Sequence, residues 1–238
     1  MDSIDDFMKV RQPTALRPLM GLTVLLVEDS RFASEAMRML CIRSGARIRR
    51  ADSLHNAKRH LSVYRPSVMI VDVGLPDGSG LDLIEAVSHG NPPIDVVLGT
   101  SGDIEMAQAV MDHGANGFLS KPIGSLAEFQ TQILAHLPQD QQPLGPRLVT
   151  DEEVSPDMIA FHDDLSHVAE VLKSSEDGQT VAYVTQFLKG VARSAQDHDL
   201  DRAAAKLARL QNDGDALEPG LRQLNALVQS RLAESGPI

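Results

Sequence analysis

Apolar runs that end abruptly in polar side chains carry the chemistry of this sequence. Leu22-Thr-Val-Leu-Leu-Val27 runs directly into Glu28 and Asp29. Val68-Met-Ile-Val71 ends in Asp72, Val96-Val-Leu-Gly99 in Thr100, and Gly117-Phe-Leu-Ser120 in Lys121, which Pro122 follows. Carboxylates gathered at strand tips repel one another unless a hard cation lies among them, and Mg²⁺ prefers such oxygen ligands. Three carboxylates, a metal ion, a hydroxyl and an ammonium together make a site suited to phosphoryl transfer, with Asp72 the natural acceptor.

To meet, these residues need four strands whose C-terminal ends share one sheet edge, where open α/β sheets hold ligands. The intervening sequence supplies the crossovers. Ser30 caps a helix whose apolar positions Ala33, Met37, Leu40 and Cys41 recur at helical spacing, and Gly45 ends it. A further strand, Ala46–Ala51, carries Arg47, Arg49 and Arg50, as befits a solvated sheet edge defended by charge. Asp52 or Ser53 opens a helix through Tyr64, and Gly80 one to about His89. Two more run from Asp103 to His113 and from Ser125 through Leu137. Five strands alternating with helices imply a doubly wound α/β fold with a five-stranded parallel sheet and right-handed crossovers.

In these residues, and in the turn Leu75-Pro-Asp-Gly-Ser-Gly80 after the acceptor, residues 21–137 resemble the receiver domain of two-component response regulators. The resemblance implies a flavodoxin-like strand order and phosphorylation of Asp72 by a partner's phosphohistidine. It implies Mg²⁺ held by Asp29, Asp72 and the backbone carbonyl of Gly74, with Glu28 acting through water. Lys121 would neutralise charge on the phosphoryl oxygens. Thr100 would swing onto the phosphoryl group and Phe118 rotate inward behind it, so that Thr100 and Phe118 form the switch. Gly74 and Gly102 present no side chain to obstruct water, which predicts a short-lived phosphoryl group.

Residues 1–20 read as an arm, with a short helix conceivable at Ile4–Val10, and the Pro- and Gln-rich stretch 138–150 as an extended spacer. Beyond it, 151–238 show no strand alternation. Four helices are legible: about Pro156–Lys173, Gly178–Ala195, Asp199–Asn212 and Glu218–Ala233, an all-α bundle. The first carries a stripe of Met158, His162, Leu165, Ala169 and Leu172, the last a stripe of Leu221, Leu224, Val228 and Leu232. Gln186-Phe-Leu-Lys189-Gly190, with Asp177 ahead of it, resembles the core helix of histidine phosphotransfer domains, except that Gln186 stands where the phosphorylated histidine belongs. A carboxamide is not a nucleophile. The resemblance therefore implies a degenerate module that keeps a receiver-docking shape, its lysine and glycine being Lys189 and Gly190.

Composition narrows the function further. The 238 residues carry a net charge of −11, with 3% aromatics and no Trp. Residues 147–238 hold 9 Lys and Arg against 16 Asp and Glu, so the half where a DNA-binding output would sit is the more acidic. That argues against nucleic acid, whose phosphates attract Lys and Arg. Cys41 alone cannot form an internal disulfide, no apolar run approaches the ~18 residues of a membrane span, and the N-terminus is acidic, so a cytoplasmic location is expected. The reading is a phospho-accepting regulator, not an enzyme in its own right. Its expected partners are a sensor histidine kinase or a histidine phosphotransfer protein. Its helical output would act on another receiver or an effector by protein contacts, and a homodimer is compatible with both halves. The competing readings are a phosphorelay transferase using His162 or His167, and a transcriptional regulator.

Overall fold

The computed structural model describes residues 12–145, 149, 152–174 and 178–234. The expectations for Ile4–Val10 and for Asp177 lie outside them. Strands β1 (Thr23–Val27), β2 (Arg47–Ala51), β3 (Val68–Asp72), β6 (Val96–Ser101) and β7 (Gly117–Ser120) form one sheet in the order β2-β1-β3-β6-β7, every pair parallel. Order reverses between β1 and β3, and such a reversal opens a crevice at the strand tips. The arginine-bearing β2 is an edge strand, with Arg47, Arg49 and Arg50 exposed. A two-residue hairpin, β4 (Gly74–Leu75) and β5 (Gly78–Ser79), follows the third strand.

Helices cover both faces. The side chains of β1 alternate between them: Val24 and Leu26 pack with α1 (Arg31–Ser44) and α5 (Leu126–Leu134), and Leu25 and Val27 with α2 (Leu54–Val63), α3 (Gly80–Ser88) and α4 (Met106–Asp112). Period-two alternation with both sets buried is what a central parallel strand requires. Helix α4 begins three residues later than Asp103. Ser101 Oγ accepts the Asp103 N–H and Asp103 Oδ1 accepts the Glu105 N–H, and this local turn holds the first residues out of the helix. Leu19, within the expected arm, is fully buried in the sheet's core, and its N–H donates to Ser44 O.

The spacer is not simply extended. Gln139–Gln141 make a 3₁₀ turn, and Gln142 Nε2 donates to the Leu134 and Leu137 carbonyls at the end of α5. Glu152–Val154 then run along the sheet domain: Leu126 N–H donates to Glu152 O, Val154 N–H to Gly124 O, and Val154 joins the core.

The C-terminal region is helical: α6 (Met158–Ser174), α7 (Gly178–Ser194), α8 (His198–Asp213) and α9 (Glu218–Glu234). Leu165, Val184, Leu188, Leu207, Leu224 and Val228 share one core there. The stripe expected on α6 is shifted. Met158 is exposed and His162 only half buried, and the buried face is Phe161, Asp164, Leu165, Val168 and Ala169. Asp164 on that face is a carboxylate turned to the sheet domain, where it accepts from Ser30, Arg31 and Phe32.

Candidate functional site

At the C-terminal tips of β1 and β3, Glu28, Asp29 and Asp72 bring ligand oxygens within 4.8 Å of one another. Gly80 lets α3 start against the end of β3: a Cβ there would meet the Asp72 carbonyl at 1.9 Å, so only glycine lets the helix begin so close to Asp72. The hairpin in between is held by Asp77, whose carboxylate accepts the Leu54 and His55 N–H groups at 2.8 and 2.9 Å and so caps α2. Lys121, whose side chain is 5% exposed, places Nζ 2.7 Å from Glu28 Oε2 and 3.1 Å from Asp72 Oδ2. The Lys121–Pro122 peptide is cis. Thr100 is fully buried, and its hydroxyl donates to Leu119 O at 2.8 Å. Phe118, next to Leu119 on β7, is half buried against the core beneath α4.

Electrostatics follow from crowding. Burial, opposed by the Lys121 ammonium, raises the Glu28 carboxyl above the usual range. Burial and then the neighbouring Asp72 charge push Asp29 up to about 7. Burial would lower Lys121, but the Asp72 and Glu28 carboxylates outweigh it, and the ammonium is held more firmly than usual. When ionised, the three carboxylates outnumber the one lysine, and their oxygen-only donor set suits a hard divalent cation. Among the described residues, no other group of His, Cys, Asp and Glu is arranged to hold a metal.

The structure therefore brings together Glu28, Asp29, Asp72, Gly74 and Lys121, with Thr100 one residue deeper in its strand. Gln186, Lys189 and Gly190 of α7 line the same cavity. A Cβ on Gly74 would lie 2.2 Å from Gln186 Nε2. Lys189 Nζ sits 3.3 Å from Asp103 Oδ2. A Cβ on Gly102 would be 3.3 Å from Arg193 Cδ and 3.5 Å from Gly190 Cα. The expectation that Gly74 and Gly102 leave the acceptor open to water is corrected here, since helix α7 packs against both. His162 and His167 do not line this cavity. His167 is exposed, its ring 6.1 Å from that of Phe187.

Two residues at the site escaped the sequence reading. Tyr183 Oη donates to Asp29 Oδ2 at 2.8 Å. Asp164 accepts from Ser30 Oγ at 2.7 Å, Arg31 N–H at 2.8 Å and Phe32 N–H at 3.0 Å. The available signals were weak: Tyr183 falls three residues before Gln186 on the same helix stripe, and Asp164 interrupts an apolar face.

Residues 24–133 match the family described as response regulator receiver domain. The chain is similar to the KDP operon transcriptional regulatory protein KdpE of Escherichia coli, 29% identical over 138 residues, covering 58% of this chain and 61% of that protein. It is similar to the response regulator protein PilR of Pseudomonas aeruginosa, 28% identical over 173 residues, covering 69% of this chain and 38% of PilR. The chain thus spans less than two thirds of the length of either relative. Among solved structures, the chemotaxis response regulator CheY4 of Vibrio cholerae aligns at 23% identity over 48% of this chain and 93% of CheY4, with a TM-score of 0.41.

Proposed function

We propose that this chain, in which residues 24–133 are a response regulator receiver domain, takes a phosphoryl group on Asp72 and passes the signal to its C-terminal helices through protein contacts. The observation that carries this reading is Lys121 Nζ bridging Glu28 and Asp72 beside a third carboxylate, Asp29. A divalent cation held by Asp29, Asp72 and the Gly74 carbonyl, with Glu28 acting through water, would supply positive charge against the phosphoryl oxygens, and the preference for oxygen makes it Mg²⁺. An Asp72 carboxylate oxygen attacks the phosphorus of a phosphohistidine, and the P–N bond breaks. The departing imidazole nitrogen keeps the electron pair and takes up a proton. Lys121 stabilises charge on the equatorial oxygens throughout. The phosphodonor is a sensor histidine kinase or a histidine phosphotransfer protein.

Readout begins at Thr100. To reach a phosphoryl group on Asp72 its hydroxyl must release the Leu119 carbonyl, which loosens the backbone beside Phe118 and couples the two. The output is read as protein contact rather than DNA binding, supported by the net charge of −7 over residues 147–238. Incubation with acetyl phosphate and Mg²⁺ tests the acceptor. One alkali-labile phosphate per chain is expected in wild type and none in Asp72→Ala. Alkali-stable label would instead point to a phosphohistidine and a relay transferase.

A further inference from the structure

Helices α6 and α7 sit on the receiver with groups matched to it. Phe32 at the start of α1 is buried in the helical core, its ring centroid 5.8 Å from that of Phe161. Beside it the buried Asp164 takes up the Arg31 and Phe32 amides, first-turn donors for which a helix has no acceptor of its own. On α7, Tyr183, Gln186 and Lys189–Gly190 follow at helical spacing. The tyrosine hydroxyl meets Asp29, and the lysine meets Asp103. The helical half is acidic as a whole, yet this stripe offers hydroxyl, carboxamide and ammonium groups to an acidic pocket. The match is complementary at both ends: carboxylate to amides at α1, donors to carboxylates at the strand tips.

We infer that the α6–α7 face is a receiver-binding surface held in cis, a cap on the chain's own acceptor pocket. A protein phosphodonor reaches Asp72 only when the bundle is displaced, whereas a small phosphodonor enters beneath it. The cavity left under the cap is about 200 Å³, with Gln186 at its solvent-exposed rim. That admits a small molecule but not a helix, whose diameter with side chains is about 10 Å. Gly74 and Gly102 are the positions where α7 comes closest, and any larger residue at Gly74 would drive into Gln186. The inference rests on Asp72 being the acceptor, and the experiment keeps the two apart.

In the full chain, the Arg31 and Phe32 amides report the cap, because their acceptor belongs to α6. Hydrogen exchange at both is expected to be slow and independent of protein concentration. Tyr183→Asp sets a second carboxylate against Asp29 and should release the cap as a unit. Exchange at Arg31 and Phe32 then speeds up about tenfold or more, although both amides donate to Asp164 and not to Tyr183, while Leu25 and Leu26 in β1 stay protected. Size selection gives a second reading. A thiol introduced by Gly102→Cys lies beneath α7, and the native Cys41 is buried with its thiol pushed up to about 12, so it stays silent. N-ethylmaleimide should label the new thiol at similar rates with and without Tyr183→Asp or Asp164→Ala. A polyethylene-glycol maleimide of several kilodaltons should label it about tenfold faster when either is present. Rapid exchange in wild type, exchange unchanged in Tyr183→Asp, protection that falls on dilution, or bulky labelling indifferent to both substitutions would each overturn the cis cap. Acetyl phosphate should label Asp72 in the wild-type chain, whose pocket carries none of these substitutions. Failure of that labelling with cap signals intact removes the acceptor assignment and leaves the docked interface.

Discussion

Lys121 is the residue on which the pocket's electrostatics turn, because its ammonium is buried between Glu28 and Asp72 and neutralises charge no other described side chain reaches so directly. Lys121→Ala should slow labelling by acetyl phosphate about 10²–10³-fold, the usual loss when a preorganised charge-stabilising donor is removed. Thr100→Ala should separate chemistry from readout. Labelling persists, but the bond to the Leu119 carbonyl is gone in both states. The change in amide chemical shifts at Phe118 and Leu119 on adding beryllofluoride and Mg²⁺ should therefore shrink or vanish. Gly80→Ala places a methyl group on the Asp72 carbonyl. A loss of about 1–3 kcal/mol by chemical denaturation is expected, as for other overpacked positions.

Among elements, α8 is tied down at its start. Asp197 accepts the Leu200 N–H at 3.1 Å and receives Arg231 Nε of α9 at 2.7 Å, so one carboxylate caps a helix and joins two of them. Burial alone would raise Asp197, but Arg231 and the Leu200 amide hold it below the ordinary aspartate value. A carboxylate with a folded pKa below its unfolded ~3.9 stabilises the fold at neutral pH and loses that contribution as pH falls through the folded value. Asp197→Ala should therefore cost about 1–2 kcal/mol at pH 7. The gap between mutant and wild-type melting should close as the buffer is taken below about pH 4. A gap that persists in acid would mean the residue acts by packing alone.

For the whole molecule, charge and docking set the expectations. Residues 147–238 carry net −7, and phosphate backbones select for the opposite sign. Full-length protein should not be retained on duplex DNA at about 0.15 M salt, with or without beryllofluoride. Salt-sensitive retention would restore the transcriptional reading. No described helix is long and apolar enough to cross a membrane. Light scattering with beryllofluoride and Mg²⁺, run on wild type and Asp72→Ala, reads assembly directly, and any change in mass is expected in wild type alone.

Local chemistry made much of this protein legible in one dimension. Strands ending in Glu28, Asp29, Asp72, Thr100 and Lys121 could be read because period, turn residues and strand-end polarity are properties of short stretches. So could the four C-terminal helices, each bounded within two residues by caps and apolar periodicity. Asp164, Tyr183 and the closeness of Gly74 to Gln186 could not, since each pairs residues more than a hundred positions apart. One-dimensional patterns show that a face is apolar or a glycine bare, but not which surface comes to rest on it. That choice belongs to shape and charge matched across two separately patterned halves, and only the tertiary structure seats the C-terminal helices against the Glu28, Asp29 and Asp72 pocket.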